Sequence, residues 1–112
     1  MGLSVHLYID TGAGNHATVE VRDVTYNNGP LFREALKIES LRDFDGREAG
    51  SIVDTVADGI TDIMKRHSHY RTMLAPMMEQ SGGWGGVNDS LDFLGQLLNA
   101  CRDHPKMKVS VS

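Results

Sequence analysis

The pattern of apolar residues changes period twice along this chain, and this change constrains the fold more than any other feature. Residues 5–10, 17–22 and 107–112 each alternate apolar and polar side chains. Alternation with a period of two is typical of a strand with one buried face. Between residues 30 and 101 the apolar residues recur every three or four positions, which is typical of helices that pack by one face. The sequence therefore predicts strands at both ends and helices between them.

The two alternating segments near the N-terminus predict a β-hairpin. In the first strand, Val5, Leu7 and Ile9 would face the core. In the second strand the inward residues would be Ala17, Val19 and Val21, and the outward residues Thr18, Glu20 and Arg22. A third strand near the C-terminus would lie beside the hairpin and complete a sheet of about three strands, the usual minimum for independent stability.

The central part of the chain predicts a series of helices. Pro30 indicates a helix start, because a proline in the first turn lacks an N–H that would have no partner there. The longest helix is expected over residues 48–67, with Asp54, Asp58 and Asp62 on a solvated face. Residues 70–80 predict a short helix and an irregular connection, and Asn88 or Asp89 is expected to cap a final helix.

The order of these elements predicts an α+β two-layer sandwich. A small, mainly antiparallel sheet, made of the N-terminal hairpin and the C-terminal strand, would be covered on one face by three or four helices. With 112 residues, the chain is long enough for one domain of ordinary size, spanning residues 1–112. An apolar fraction of 40% and a charged fraction of 23% are those of a folded protein.

Charge, the length of the apolar runs and the cysteine content bear on the partners and the location of the chain. Eleven basic against fifteen acidic residues give a net charge of −4, so non-specific nucleic-acid binding, which depends on a cationic surplus, is disfavoured. No apolar run approaches the roughly 20 residues that cross a bilayer, and we expect no membrane partner. Cys101 is the single cysteine, which is typical of a reducing compartment and predicts a cytoplasmic location.

Catalytic and metal-binding patterns are weak in this sequence. Cys101 falls on the apolar face of the last helix and is interpreted as a buried structural thiol. His67 and His69 lie two residues apart with no cysteine or carboxylate at ligand spacing, so surface exposure and helix-end capping explain them better than zinc. A hydrolase using Asp43 or Asp45 with a histidine has the least support. We therefore expect a non-enzymatic protein with no cofactor and no metal.

Two loops carry the candidate ligand-binding residues. The first supplies an aromatic ring, amide groups and a guanidinium at a helix start, and the second places an indole among glycines that permit close backbone approach. These residues are Tyr26, Asn27, Asn28 and Arg33 in the first loop and Gly83, Trp84 and Gly85 in the second. If the loops converge, they suit a small anionic, phosphorylated or nucleotide-like ligand. Ordinary turn and capping chemistry, and a tryptophan that closes the core, are the alternatives.

A methionine cluster offers a different function. Met73, Met77 and Met78 make adaptable contacts of the kind found at partner or homo-oligomer surfaces, although filling gaps in the core is an equal alternative. Together with the acidic face of the longest helix, they suggest a protein-interaction module that inhibits a host bacterial protein.

Four segments resemble a family of small uncharacterised proteins of bacteriophages and actinobacteria. They are residues 25–36, with the pattern Thr-Tyr-Asn-x-x-Pro-x-Phe-Arg, and residues 41–46, 70–76 and 97–105. Similar sequences read Asn-Gly-Trp-Gly where this chain has Gly82-Gly83-Trp84-Gly85. The resemblance implies a phage-type accessory protein acting inside a bacterium. Our leading hypothesis is a binding protein that sequesters a small ligand and so counters host defence.

Overall fold

The computed structural model describes residues 2–12, 15–80 and 85–112, and it confirms the predicted α+β two-layer class. The strands are β1 (Gly2–Gly12), β2 (Asn15–Thr25) and β3 (Lys108–Val111). The helices are α1 (Gly29–Leu36), α2 (Ala49–Lys65), α3 (His67–Gln80) and α4 (Val87–Asp103). Short 3-10 helices occupy Tyr26–Asn28 and Leu41–Phe44. In the described part of the chain, no helix is long and apolar enough to cross a membrane.

The sheet is antiparallel with the strand order β2-β1-β3. β1 pairs with β2 along its length, whereas β3 pairs only with the segment Val5–Tyr8 of β1. The far edge of β3 is covered by residues 45–47. Gly46 N–H donates to the Val109 carbonyl at 2.7 Å, and Val109 N–H donates to the Arg47 carbonyl at 2.8 Å. The terminal strand is therefore bonded on both of its edges.

A β-bulge in the hairpin changes the direction of Arg22. Val5 pairs with Arg22 but His6 pairs with Glu20, so Val21 is an extra residue in β2. Val21 is buried, and Arg22 reaches the helical layer, where it donates to Asp89 of α4 at 2.7 Å. The outward orientation predicted for Arg22 was wrong, because strict alternation takes no account of an inserted residue.

The helices pack on one face of the sheet around a single apolar core. Gly59 of α2 faces the end of α1, where an added Cβ would lie 2.3 Å from Leu36 Cδ2. The aromatic rings of Phe32 in α1 and Phe93 in α4 pack with centroids 5.6 Å apart. The largest fully buried side chains are Tyr70, Phe32, Phe44, Phe93, Leu7, Leu31, Ile52, Ile63, Leu74, Leu94, Leu97 and Val56.

Two helix boundaries differ from the sequence predictions. α3 runs without interruption from His67 to Gln80, although Pro76 lies inside it and lacks the N–H for one intrahelical bond. α4 is capped by Gly86, whose carbonyl accepts from the backbone N–H and the hydroxyl of Ser90. The predicted irregular connection and the predicted cap were therefore wrong. The side chain of Asp89 is used instead in contacts with β2 and the first 3-10 helix.

Candidate functional site

A cleft of about 230 Å³ opens beside the start of α1. Its lining residues come from β1, the end of β2, the first 3-10 helix, α1, residues 39–40 and the second 3-10 helix. They are Leu3, Val24, Thr25, Tyr26, Gly29, Phe32, Arg33, Glu39, Ser40, Leu41 and Arg42. We call this site the arginine–tyrosine cleft. Its apolar members are buried and form the floor, and its charged members and Tyr26 are exposed and form the rim.

Local hydrogen bonds hold the segments that build this cleft. The Thr25 hydroxyl accepts from Asn27 N–H at 3.3 Å and starts the turn that carries Tyr26. On the opposite side, the Ser40 hydroxyl accepts from Arg42 N–H at 3.2 Å. Asp43 Oδ2 accepts from Glu39 N–H at 3.0 Å. Side-chain caps of this kind fix short turns, so the rim residues stand on constrained backbone.

Two guanidinium groups dominate the electrostatics of the rim. Among the described residues, neither Arg33 nor Arg42 forms an ion pair with a carboxylate. Arg42 Nη2 donates to Tyr26 Oη at 3.4 Å, a long hydrogen bond that links two sides of the cleft. Arg22, by contrast, is ion-paired with Asp89, whose hydrogen bond raises the pKa of the guanidinium. The rim therefore presents positive charge to a ligand.

The structure brings together some of the predicted ligand-binding residues and separates others. Tyr26 and Arg33, both predicted as part of the first loop, line the same cleft. Asn28 is fully buried and is not among the lining residues. Its Nδ2 donates to Asp89 Oδ2 at 2.9 Å, and its Oδ1 accepts from Gly86 N–H at 2.8 Å. Asn28 thus joins the start of α1 to the start of α4.

The second predicted loop is only partly described. Gly85 has a φ of +91°, and an added Cβ would lie 2.6 Å from Asn28 Oδ1 and 2.8 Å from Thr25 Cγ2. The glycine is therefore required both by the backbone conformation and by close packing. Asn27 is half-buried in the first 3-10 helix. Gly83 and Trp84 lie outside the described residues.

The three methionines of the predicted interface are half-buried. Met73 and Met77 pack against the core. The sulfur of Met78 lies 3.1 Å from where a Cβ on Gly86 would stand. These contacts agree with the gap-filling alternative, and the interface remains a prediction.

A second polar cluster, which the sequence did not predict, joins α1, α2 and α3. Arg66 donates to Asp62 at 2.6 Å and lies 2.9 Å from a Glu34 oxygen. Tyr70 donates its hydroxyl to Asp62, and His69 Nε2 lies 2.7 Å from Glu34 Oε2. Asp62 is partly exposed, as expected for a solvated face, and its carboxylate is also hydrogen-bonded to Arg66 and Tyr70. The signal available in the sequence was the spacing of four between Asp62, Arg66 and Tyr70, which places them on one side of a helical turn.

The pKa of Asp62 gives this cluster a testable pH dependence. Hydrogen bonds from Arg66 and then from Tyr70 lower its pKa from 3.8 to about 2. Between these values the unfolded chain binds more protons, so the stabilisation is present above pH 4 and is lost as the pH falls towards 2. We expect Asp62→Asn to be less stable at neutral pH and to lose stability less steeply over this window.

Urea unfolding from pH 2 to pH 6 measures this effect. Asp54→Asn is the matched control, because Asp54 is exposed on the same helix. Equal pH slopes for Asp62→Asn and the wild type would contradict the assignment.

Nucleophile and metal chemistry find little support in the described residues. Burial raises the pKa of the Cys101 thiol to about 11, which keeps it protonated at neutral pH. Across residues 2–12, 15–80 and 85–112, no three His, Cys, Asp or Glu side chains are grouped so that they could hold a metal ion. The arginine–tyrosine cleft is therefore the best-supported candidate site. No family model, curated protein or solved structure matches this chain.

Proposed function

We propose that this protein binds a small phosphorylated, nucleotide-like ligand in the arginine–tyrosine cleft, without turning it over. The proposal rests on one observation. Two guanidiniums, which have no carboxylate partner among the described residues, line the same cleft as an exposed tyrosine ring and an apolar floor. Each part corresponds to one part of a nucleotide.

The floor and Tyr26 suit a planar ring. Leu3, Phe32 and Leu41 supply apolar surface, and Tyr26 is 47% exposed, which leaves a ring face available for stacking. The cleft volume of about 230 Å³ is smaller than the roughly 300 Å³ at which pockets begin to enclose whole drug-sized ligands. A mononucleotide would therefore place its base inside and leave part of the sugar-phosphate at the rim.

The rim suits the phosphate. Guanidinium groups bind phosphate oxygens through paired, charge-assisted hydrogen bonds. At 3.4 Å, the Arg42–Tyr26 bond is weak, so an incoming phosphate would replace it at small cost. The side chain of Arg33 extends over Gly29. A Cβ added to Gly29 would lie 3.7 Å from Nη1 of Arg33.

The binding experiment uses nucleoside monophosphates and an arginine double variant. We expect Arg33→Ala with Arg42→Ala to weaken binding by up to about 30-fold, because each of the two partly exposed charge pairs contributes at most about 1 kcal/mol. Titration calorimetry at fixed salt measures the change. Arg71→Ala is the matched control, since Arg71 is exposed on α3 outside the cleft. Undiminished affinity in the double variant would remove the cleft as the binding site.

The biological role we propose is sequestration inside a bacterium. The resemblance of residues 25–36 to phage and actinobacterial proteins supports a chain that lowers the free concentration of a nucleotide signal and so counters host defence. A thermal-shift panel should include linear and cyclic nucleotides, because only a bound ligand raises the melting temperature. If no member of the panel raises it, the sequestration role is abandoned.

A further inference from the structure

Glu39 adds a negative group to the otherwise cationic rim of the cleft. It lines the same cleft as Arg33 and Arg42 and is exposed. Within the described residues its carboxylate has no ion-pair partner. A carboxylate only accepts hydrogen bonds, so a ligand group that faces Glu39 and displaces its water must donate an N–H or O–H. A phosphate dianion does not supply such a donor, whereas the N–H groups of a base can.

The backbone around Glu39 is held by its neighbours. Its own N–H donates to Asp43 Oδ2 at 3.0 Å, which ties it to the second 3-10 helix. The next residue, Ser40, caps that helix through the Arg42 N–H. A recognition group on fixed backbone loses less entropy on binding than one on a free loop. Glu39 is therefore positioned to discriminate between ligands.

The nucleobases differ in what they offer a carboxylate. Guanine presents two adjacent donors, its ring N1–H and its exocyclic amino group, which match the two oxygens of a carboxylate. Adenine and cytosine each place a ring acceptor beside the amino group, and that acceptor would face a carboxylate oxygen. Uracil has one N–H between two carbonyls. Guanine is therefore the base that satisfies Glu39 without a repulsive contact.

We propose that the arginine–tyrosine cleft selects guanine nucleotides and that Glu39 is the specificity-determining residue. This inference rests on the proposed nucleotide-binding function. The base stacks on Tyr26 with its donor edge on the Glu39 carboxylate, and the phosphate meets the two guanidiniums.

The test compares GMP, IMP and AMP by titration calorimetry with the wild type and Glu39→Gln. We expect GMP to bind about tenfold or more tightly than AMP, the discrimination typical of one bidentate pair. IMP lacks the amino group and should fall between them. Glu39→Gln should lose the preference for GMP while still binding the phosphate, because a glutamine presents one donor and one acceptor. Glu20→Gln, exposed on β2, is the matched control.

Each outcome separates the two proposals. Equal binding of GMP and AMP, weakened in the arginine double variant, would overturn guanine selection and leave the nucleotide site standing. A preference for GMP that persists in Glu39→Gln would overturn the role of Glu39. If none of the three nucleotides binds the wild type, the nucleotide function falls, and guanine selection falls with it. Circular dichroism confirms that Glu39→Gln is folded.

Discussion

Replacing Phe32 by alanine is expected to lower the free energy of unfolding by about 3–5 kcal/mol, the usual cost of deleting a buried phenyl ring. Phe32 is 2% exposed and packs against Phe93 with ring centroids 5.6 Å apart. The variant therefore loses both the buried area and the contact between α1 and α4. Because the free energy of unfolding of a domain of this size is only about 5–15 kcal/mol, the substitution removes a large part of it.

Thermal and urea unfolding measure this loss. We expect the melting temperature to fall by roughly 10–20 °C. Phe32→Leu is the control, since it keeps an apolar side chain and should cost less than half as much. Phe32 also forms part of the cleft floor, so the alanine variant should lose ligand affinity even where it remains folded. A cost below about 1 kcal/mol would mean that Phe32 is not a core residue.

Asn28→Ala is expected to cost about 2–3 kcal/mol, because it leaves a buried N–H without a partner. The orphaned group is the backbone N–H of Gly86, which now donates to Asn28 Oδ1 at 2.8 Å. Asp89 loses the hydrogen bond from Nδ2 as well. The expected loss is assigned mainly to these two hydrogen bonds.

Urea unfolding of Asn28→Ala and Asn99→Ala separates this effect from a general loss of amide groups. Asn99 is exposed on α4, and its replacement should change stability by no more than about 0.5 kcal/mol. Equal stability of the two variants would show that the hydrogen bond between Gly86 and Asn28 does not stabilise the folded state.

The strands were predictable because burial imposes a simple period on them. Val5, Leu7 and Val109 are buried as their alternation required. Arg22 was misplaced because a bulge depends on how two strands pair, and neither strand alone records it. Ile9 was expected inside and is 38% exposed, since the hairpin extends beyond the segment that β3 pairs with.

The site was predictable only in part. Tyr26 and Arg33 are seven residues apart in a turn and the helix that follows, so local geometry brings them together. Glu39 and Arg42 enter the cleft because α1 ends and the chain turns back, which depends on tertiary packing. Asn28 looked like a surface turn residue, because nothing near it in sequence revealed the partners 58 and 61 positions away.

The position of β1 between its two neighbours has a consequence for synthesis. β1 is translated before β2 and β3. It pairs with β2 as soon as the hairpin forms, but its other edge has no partner until residues 108–111 have left the ribosome. Until then the backbone of residues 5–8 presents an open strand edge, which is prone to pairing with other chains. The nascent chain is therefore protected from aggregation at this edge only after β3, the last of the three strands to be translated, has paired with β1.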